Sequence, residues 1–342
     1  MDYSQILAQQ FNIKEEYAKN IITLLDDGNT IPFIARYRKE MHGSMDDQLI
    51  REFAEKLEYL RGLDKRRDEI RSLIDAQEKL TDEINLALDK AATLSELEDI
   101  YRPYRPKRKT RASIAKEKGL EPLANDILKQ EKGFDPSKSA VDYIDEEKGV
   151  TSVEDAIQGA MDIIAELVSD NAEIRKRIRN LTNANGVLVS VATDEEKDSV
   201  YKNYYDYKEP VKKIAGHRVL AVNRGEKEGF LKVSVETDSE KPLNSIFRAM
   251  ITDKNQLCSD IIREACTDAY QRLIYPSIER EVRNDLTDTA SENAMKVFAV
   301  NLKQLLMQPP VKGKTVLALD PGYRTGCKTC LLYTSDAADE AR

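Results

Sequence analysis

An apolar stretch near the end of the chain leads a single carboxylate into a tight turn. Residues 316–319 read Val-Leu-Ala-Leu, and Asp320 follows them directly before Pro321 and Gly322. A carboxylate at the end of a strand can help to hold catalytic metal ions when other carboxylates lie beside it. The same residues also suit a strand-ending turn, in which the aspartate accepts hydrogen bonds from nearby amides. One carboxylate cannot hold a two-metal centre, so we predict no catalytic residue and no metal site.

A strongly basic stretch at residues 101–111 could bind phosphates. Pro103 and Pro106 exclude a regular helix there, so the sequence predicts an extended, exposed segment. Its arginines and lysines can neutralise phosphates and release counterions, and its tyrosines can stack on the bases of a single strand. The predicted nucleic-acid-binding residues are Tyr101, Arg102, Tyr104, Arg105, Lys107, Arg108, Lys109 and Arg111.

The overall charge supports a competing interpretation of this basic stretch. The chain has 61 acidic and 53 basic residues and a formal net charge of −8. This balance opposes non-specific binding to nucleic acid. The stretch could therefore be a solvated loop whose arginines pair with the excess carboxylates, and both interpretations stay open.

Two smaller groups of cations have mainly structural interpretations. Arg36, Arg38 and Lys39 stand beside Tyr37 in a pattern that favours an amphipathic helix, with the arginines bound to carboxylates of a neighbouring long helix. Residues 217–229 contain arginines near a helix start, where a phosphate could bind. The favoured interpretation there is that Gly225 and Gly229 are turn positions and that the arginines pack or lie at the surface.

The cysteines and histidines predict neither a zinc site nor a histidine-based triad, because too few of them lie together. Cys327 and Cys330 form a C-x-x-C motif, but residues 329–342 read like a translated sequencing adaptor, which makes the motif an artefact. Cys258 and Cys266 suit a buried helical environment. The sequence predicts no cofactor.

Composition and hydropathy indicate a helical protein without membrane segments. Charged residues make up 33% of the chain and aromatic residues 6%, which suits helices with many solvated faces. No apolar run reaches about 18 residues, and the N-terminus lacks a signal segment. We therefore expect a cytoplasmic protein without a membrane partner.

Apolar periodicity predicts the elements that must position these residues. A long helix capped by Asp46 and Asp47 has one apolar stripe, formed by Leu49, Phe53, Leu57, Leu60 and Leu63, and a charged opposite face. We expect it to project or to pair with one neighbour. The predicted helices cover residues 15–25, 47–76, 113–118, from 121 onward, 151–181, 217–228, 256–275 and 278–307, and the predicted strands cover residues 187–191 and 230–235.

Several segments resemble the Tex family of bacterial transcription accessory proteins. They lie in the family's order at residues 28–40, 101–112, 217–229, 276–283 and 308–322. The resemblance implies an elongated, mainly helical nucleic-acid-binding protein related to a eukaryotic transcription elongation factor. In the family, a helical region with a helix-turn-helix-like part precedes a YqgF domain of ribonuclease H-like fold. Helix-hairpin-helix elements and a C-terminal OB-fold RNA-binding domain follow.

The resemblance divides the chain into four regions. We predict a Tex-like helical region at residues 1–185 and a small α+β and helical region at 186–308. A linker and the first strand of a truncated YqgF domain follow at 309–328, and 329–342 form the non-native tail. The fold class is mainly α.

Three functions fit these residues. The leading hypothesis is a non-catalytic transcription accessory factor that binds RNA or DNA and contacts the transcription or translation machinery. The second is a nuclease or resolvase, because ribonuclease H-like nucleases carry a first aspartate on their first strand, where Asp320 stands. The third is a protein-interaction scaffold with an acidic helical surface.

Overall fold

The computed structural model describes residues 2–106, 108–252, 254–309, 312–322 and 326–333, and these are mainly helical. None of their helices is both long and apolar enough to cross a membrane. The helices are α1 (Tyr3–Phe11), α2 (Glu15–Asp26), α3 (Ile31–Tyr37), α4 (Asp47–Asp75), α5 (Asp82–Lys90), α6 (Leu94–Tyr101), α7 (Arg111–Glu117), α8 (Glu121–Lys129), α9 (Pro136–Ala140), α10 (Val153–Asp170), α11 (Ala172–Asn185), α12 (Gly216–Lys227), α13 (Glu240–Met250), α14 (Gln256–Asp268) and α15 (Tyr275–Leu306). The strands are β1 (Val187–Ala192), β2 (Asp206–Pro210), β3 (Leu231–Glu236), β4 (Thr315–Pro321) and β5 (Cys327–Tyr333).

The chain divides into two compact units. The first contains residues up to 186 together with residues 236–282, and the second contains residues 187–235 together with the chain from Arg283 onward. The candidate interface at residues 101–111 therefore belongs to the first unit.

Helix α4 begins as predicted but packs on more neighbours than predicted. The Asp46 side chain accepts a hydrogen bond from the backbone N–H of Leu49 at 2.8 Å and so caps the helix. The first half of α4 packs with α1, α2 and α3 around Phe53. Its second half packs with α5 and α6 around Ile70 and Ile74. The prediction that α4 projects or has a single neighbour is wrong.

The apolar stripe of α4 is also shifted at its first member. Ile50 is fully buried, whereas the predicted Leu49 is 42% exposed. Both are large aliphatic residues next to each other, so spacing alone did not distinguish them. Phe53, Leu57, Leu60 and Leu63 are buried as predicted.

The predicted helix at residues 151–181 is in fact two helices. Asn171 has an extended backbone, with φ −73° and ψ 112°, and ends α10. Its side-chain oxygen accepts a hydrogen bond from the N–H of Ile174 at 3.0 Å, which caps α11. Asparagine is a strong N-cap residue, so local capping broke a run whose apolar spacing continues through it.

The helices predicted at 256–275 and 278–307 are continuous, because α14 passes through a π-helical segment (Ala269–Ile274) directly into α15. Pro276 was expected to separate them. It occupies the second position of α15, and a missing backbone N–H costs least in the first turn of a helix.

The second unit contains a three-stranded sheet in the order β2-β1-β3. β1 and β2 are antiparallel, with Val187 opposite Pro210 and Val191 opposite Asp206. The strands at 187–191 and 230–235 and the helix at 217–228 are confirmed as β1, β3 and α12. Apolar residues of the sheet and of α12 form one cluster, whose buried members are Leu188, Tyr201, Val222, Leu231 and Val233.

The strand leading to Asp320 is confirmed as β4, which forms an antiparallel hairpin with β5. Asp320 lies opposite Lys328, and the described side chains of both strands are exposed. β5 includes residues 329–333 of the predicted non-native tail. Assignment of β4 to a ribonuclease H-like domain stays a prediction, as does the helix-turn-helix-like part.

Candidate nucleic-acid interface

The basic segment connects two helices of the first unit. α6 ends at Tyr101, and one 3₁₀ turn, Arg102–Tyr104, follows it before the chain becomes extended at Arg105. At the far end, Thr110 caps α7 through a capping box, in which Thr110 and Ser113 exchange side-chain and backbone hydrogen bonds at 3.0 and 2.8 Å. Both ends of the segment are thus held by helices.

The two tyrosines are less available than the sequence suggested. Tyr101 is only 6% exposed and belongs to the cluster under α4. The guanidinium of Arg66 lies over its ring, 5.7 Å from the centroid. Tyr104 is half-buried, and its carbonyl accepts a hydrogen bond from Gln77 Nε2 at 2.9 Å. Because α6 extends to Tyr101 and turns it inward, stacking of this ring on a base is excluded in this conformation.

Most of the segment's cations are exposed. Within the described part of the chain, no ion pair is found for Arg105, Arg108 or Arg111. Lys109 makes one weak pair, with its Nζ 3.8 Å from Glu117 Oε2 and both side chains well exposed. Lys107 lies outside the described residues. Widespread pairing of the segment with carboxylates, the alternative considered for this stretch, is thus not found for these three arginines.

Arg102 differs from the other cations because it turns towards the interior. Its Nε lies 3.4 Å from Asp170 Oδ1, and the side chain is 34% exposed. Burial lowers the pKa of Arg102, and the positive charge of Arg175 lowers it further. It is therefore a wall residue of the segment and not a free surface charge.

Behind Arg102 lies a buried ionic network that joins three helices. Asp99 of α6 accepts from Arg175 Nε through Oδ1 and from Arg179 Nη2 through Oδ2, each at 2.5 Å. Arg179 also donates through Nε to Glu281 Oε1 at 2.5 Å, and Arg175 Nη2 donates to Ser277 Oγ at 3.1 Å. The network fixes α11 and the start of α15 against the helix that ends in the basic segment.

The energetics of Arg179 show how strongly the network favours its charge. Burial acts to lower the pKa of this guanidinium, but hydrogen bonds to Glu281 and Asp99 outweigh burial, and the net pKa is raised. Short bonds between charged partners are the strongest hydrogen bonds in proteins. Removing one partner from such a buried set is correspondingly expensive.

A cavity of about 440 Å³ opens between the basic segment and this network. Its wall combines arginines, carboxylates already engaged by arginines, hydroxyl groups and two leucines. The lining residues are Leu94, Ser95, Glu98, Asp99, Arg102, Arg105, Thr110, Glu166, Ser169, Asp170, Arg175, Arg179, Leu273 and Glu281. Nothing in the sequence indicated this cavity, because its wall comes from five separate segments.

The smaller cluster at residues 36–39 lacks the ion pairs predicted for it. Among the described residues, none of Arg36, Arg38 and Lys39 forms an ion pair with α4. Arg38 instead lies over the ring of Phe33, 5.2 Å from its centroid, and donates to the Tyr37 carbonyl at 3.1 Å. Cation–π contact with a neighbouring ring thus replaces the expected carboxylate contact. Tyr37 is 64% exposed.

The arginines at residues 217–229 have the structural role that was favoured. Arg218 donates to Glu209 Oε1 at 2.9 Å, and Arg224 Nε lies 3.4 Å from Glu228 Oε1. Gly229 is a turn residue with φ +79°, as predicted. Gly225 is not a turn residue: it lies within α12, where a Cβ would stand 2.5 Å from Leu231 Cδ1.

The described residues contain no group of three or more His, Cys, Asp or Glu side chains that could hold a metal ion. Cys258 and Cys266 are buried in α14, as predicted. Cys327 and Cys330 are exposed free thiols on β5. Asp320 is exposed on β4.

These observations define a mainly helical protein of two compact units with a surface-exposed basic segment held between helices. Two family models match it: "Tex-like protein N-terminal domain" over residues 1–75 and "Tex central region-like" over residues 131–298. The chain belongs to the Tex family.

Three relatives show how far the similarity extends. The chain is 45% identical to "Uncharacterized protein YdcI" of Bacillus subtilis, over 95% of this chain and 46% of the relative. It is 36% identical to "Transcriptional accessory protein Tex" of Neisseria gonorrhoeae, over 97% and 44%. It is 32% identical to human "S1 RNA-binding domain-containing protein 1", over 97% and 34%. The chain thus spans less than half the length of these relatives.

Proposed function

We propose that the chain belongs to a transcription accessory factor that binds RNA or DNA without cleaving it, and that the basic segment contributes to this binding. The observation that carries the proposal is the exposure of Arg105, Arg108 and Arg111, which have no ion-pair partner in the described part of the chain. The names of two relatives, which refer to transcription and to RNA binding, support the class of ligand.

The segment would act by neutralising phosphates. Each Lys or Arg that contacts a phosphate releases a condensed counterion, so affinity falls as salt rises. Cations on one short segment can follow a flexible strand even though the chain as a whole is acidic, because screening confines exposed charges to a range of about 10 Å at 0.1 M salt. Tyr104, half-buried beside them, offers at most one edge for stacking.

Charge reversal tests the proposal directly. Arg105, Lys107, Arg108 and Lys109 are all replaced by Glu, and binding of labelled single-stranded RNA and DNA is measured by anisotropy at two salt concentrations. We expect a large loss of affinity and a salt slope reduced by about 0.7 for each phosphate that the variant no longer neutralises. Unchanged affinity and slope would contradict the role of the segment.

A matched control separates local contact from overall charge. Replacing Arg51, Lys132, Arg177 and Lys212 with Glu changes net charge by the same amount at exposed positions away from the segment. We expect a small loss of affinity with this control. Equal losses in the two variants would assign the effect to overall charge, and cleavage of the labelled strands with Mg²⁺ or Mn²⁺ present would contradict the non-catalytic part of the proposal.

A further inference from the structure

Two arginines on the wall of the cavity retain buried donors without acceptors. Arg175 is a buried side chain, 3% exposed, and its Nη1 has no hydrogen-bond partner. Arg102 Nε is likewise buried and unpartnered, since its contact with Asp170 at 3.4 Å lacks hydrogen-bond geometry. Buried charged donors are normally satisfied, so two on one cavity need an explanation.

The carboxylates of the buried network do not supply the missing acceptors. Both oxygens of Asp99 are engaged, by Arg175 and Arg179. Both oxygens of Glu281 are engaged by Arg179, at 2.5 and 3.2 Å. Glu98 Oε1 accepts from Arg66 Nε at 2.7 Å. The groups left over on this side of the cavity are therefore cationic N–H donors.

The two donors also belong to cations that repel each other. Besides burial, the charge of Arg175 lowers the pKa of Arg102, which shows that the two guanidinium groups interact electrostatically. An anion bound between like charges removes this repulsion and satisfies donors at the same time. Guanidinium groups match phosphate oxygens particularly well in geometry.

We propose that the cavity is a binding site for a phosphate group, held by Arg102 Nε and Arg175 Nη1. Its volume of about 440 Å³ is in the range of ligand pockets, so it admits more than a single ion. Arg105, which lies on the same wall, is exposed and extends the positive surface outward.

The phosphate can come from two sources, a nucleic-acid backbone or a free phosphate or mononucleotide. Arg102 is the first arginine of the basic segment, so a strand bound along the exposed cations can place a phosphate here. This source rests on the proposed function, whereas the free anion does not.

The first experiment titrates the protein with inorganic phosphate and follows its melting temperature, with chloride at equal ionic strength as the reference. We expect phosphate to raise the melting temperature beyond chloride in the wild type and in Arg177→Gln, a neighbouring exposed arginine of α11 outside the cavity. The increase should disappear in Arg175→Gln and in Arg102→Gln. No increase in the wild type, or the same increase in every variant, would overturn the proposal.

Arg102→Gln guards against a folding artefact, because this partly exposed side chain is not part of the Asp99 network. If Arg175→Gln fails to fold, Arg102→Gln and Arg102→Lys still decide. Lysine keeps the charge but lacks the Nε donor of the guanidinium, so Arg102→Lys should retain only part of the phosphate response. A full response in both Arg102 variants would overturn the assignment of the donors.

The second experiment identifies the source with the same variants and a single-stranded RNA. A tenfold or greater loss of RNA affinity in Arg102→Gln, together with loss of the phosphate response, supports a backbone phosphate. Unchanged RNA affinity with loss of the phosphate response supports the free anion. Because the phosphate titration contains no nucleic acid, it can succeed when RNA binding fails, and the Glu variants of the segment can succeed when the cavity fails.

Discussion

Arg175 and Asp99 form a buried ion pair in which the arginine Nε lies 2.5 Å from the aspartate Oδ1. The side chains are 3% and 6% exposed, respectively. Asp99 stands two residues before the end of α6, so this pair sets the position at which the basic segment begins. The pair links the stability of the unit to the geometry of the candidate interface.

Loss of Asp99 should therefore destabilise the first unit strongly. We expect Asp99→Ala to lower the free energy of unfolding by about 3–5 kcal/mol, because it leaves two arginines buried without their acceptor. Lys19→Ala, which breaks the exposed pair with Glu15 at 2.6 Å, should cost less than about 0.5 kcal/mol. Urea denaturation measures both values. Similar losses in the two variants would show that burial of the Asp99 network adds nothing.

Two helical glycines should respond oppositely to alanine. Gly225→Ala places a Cβ 2.5 Å from Leu231 Cδ1 and 2.9 Å from Leu231 Cγ, so it should destabilise the protein by about 1–3 kcal/mol through overpacking. Gly62 lies within α4, where an added Cβ would meet no atom within 4 Å, so Gly62→Ala should stabilise by about 0.5–1 kcal/mol. Thermal and urea unfolding give the sign. Stabilisation by Gly225→Ala would contradict the close approach of α12 to β3.

Asp162 should make stability depend on pH. Burial raises its pKa, although Arg272, with Nη2 3.6 Å from Asp162 Oδ1, acts against burial. A raised carboxyl pKa contributes stability that is fully present below the unfolded pKa of about 3.9 and is lost as pH rises through the folded pKa. Asp162→Asn should remove this loss. Its stability relative to the wild type should increase between pH 3.5 and pH 7, in urea titrations at both values; a constant difference would contradict the prediction.

The four cysteines should divide into two classes of reactivity. Burial raises the pKa of the Cys266 thiol to about 12, and it also raises the pKa of Cys258. Cys327 and Cys330 are exposed. Because the thiolate is the reactive form, a thiol reagent at pH 8 should modify only the exposed pair until denaturant is added. Rapid labelling of Cys266 in the folded protein, read by mass spectrometry, would contradict its burial.

The sequence predicted elements where a single local signal dominated. Asp46 caps α4, and branched residues mark β1 and β3, as predicted. It failed where a local signal competed with periodicity, as at Asn171, or where the decision depended on tertiary packing, as for Leu49 and Ile50. β2 reads Asp-Tyr-Lys-Glu-Pro and owes its conformation to pairing with β1, which composition does not reveal.

The candidate site shows the same division. Exposure of Arg105, Arg108 and Arg111 agrees with what the two prolines indicated. The inward positions of Tyr101 and Arg102 depend on how far α6 continues and on what α10 and α11 offer. The cavity is built by segments that lie far apart in the chain, so no spacing rule could find it.

Helix α4, shared by two apolar clusters, couples their opening. Its 29 residues span roughly 44 Å at 1.5 Å per residue, and Leu60 and Leu63 belong to different clusters. The amide hydrogens near the middle of this helix should exchange with solvent only when both clusters open, whereas those of α1 can exchange when the first alone opens. α4 therefore makes the helices from α1 to α6 one cooperative unit, in which damage to either cluster is felt by the other.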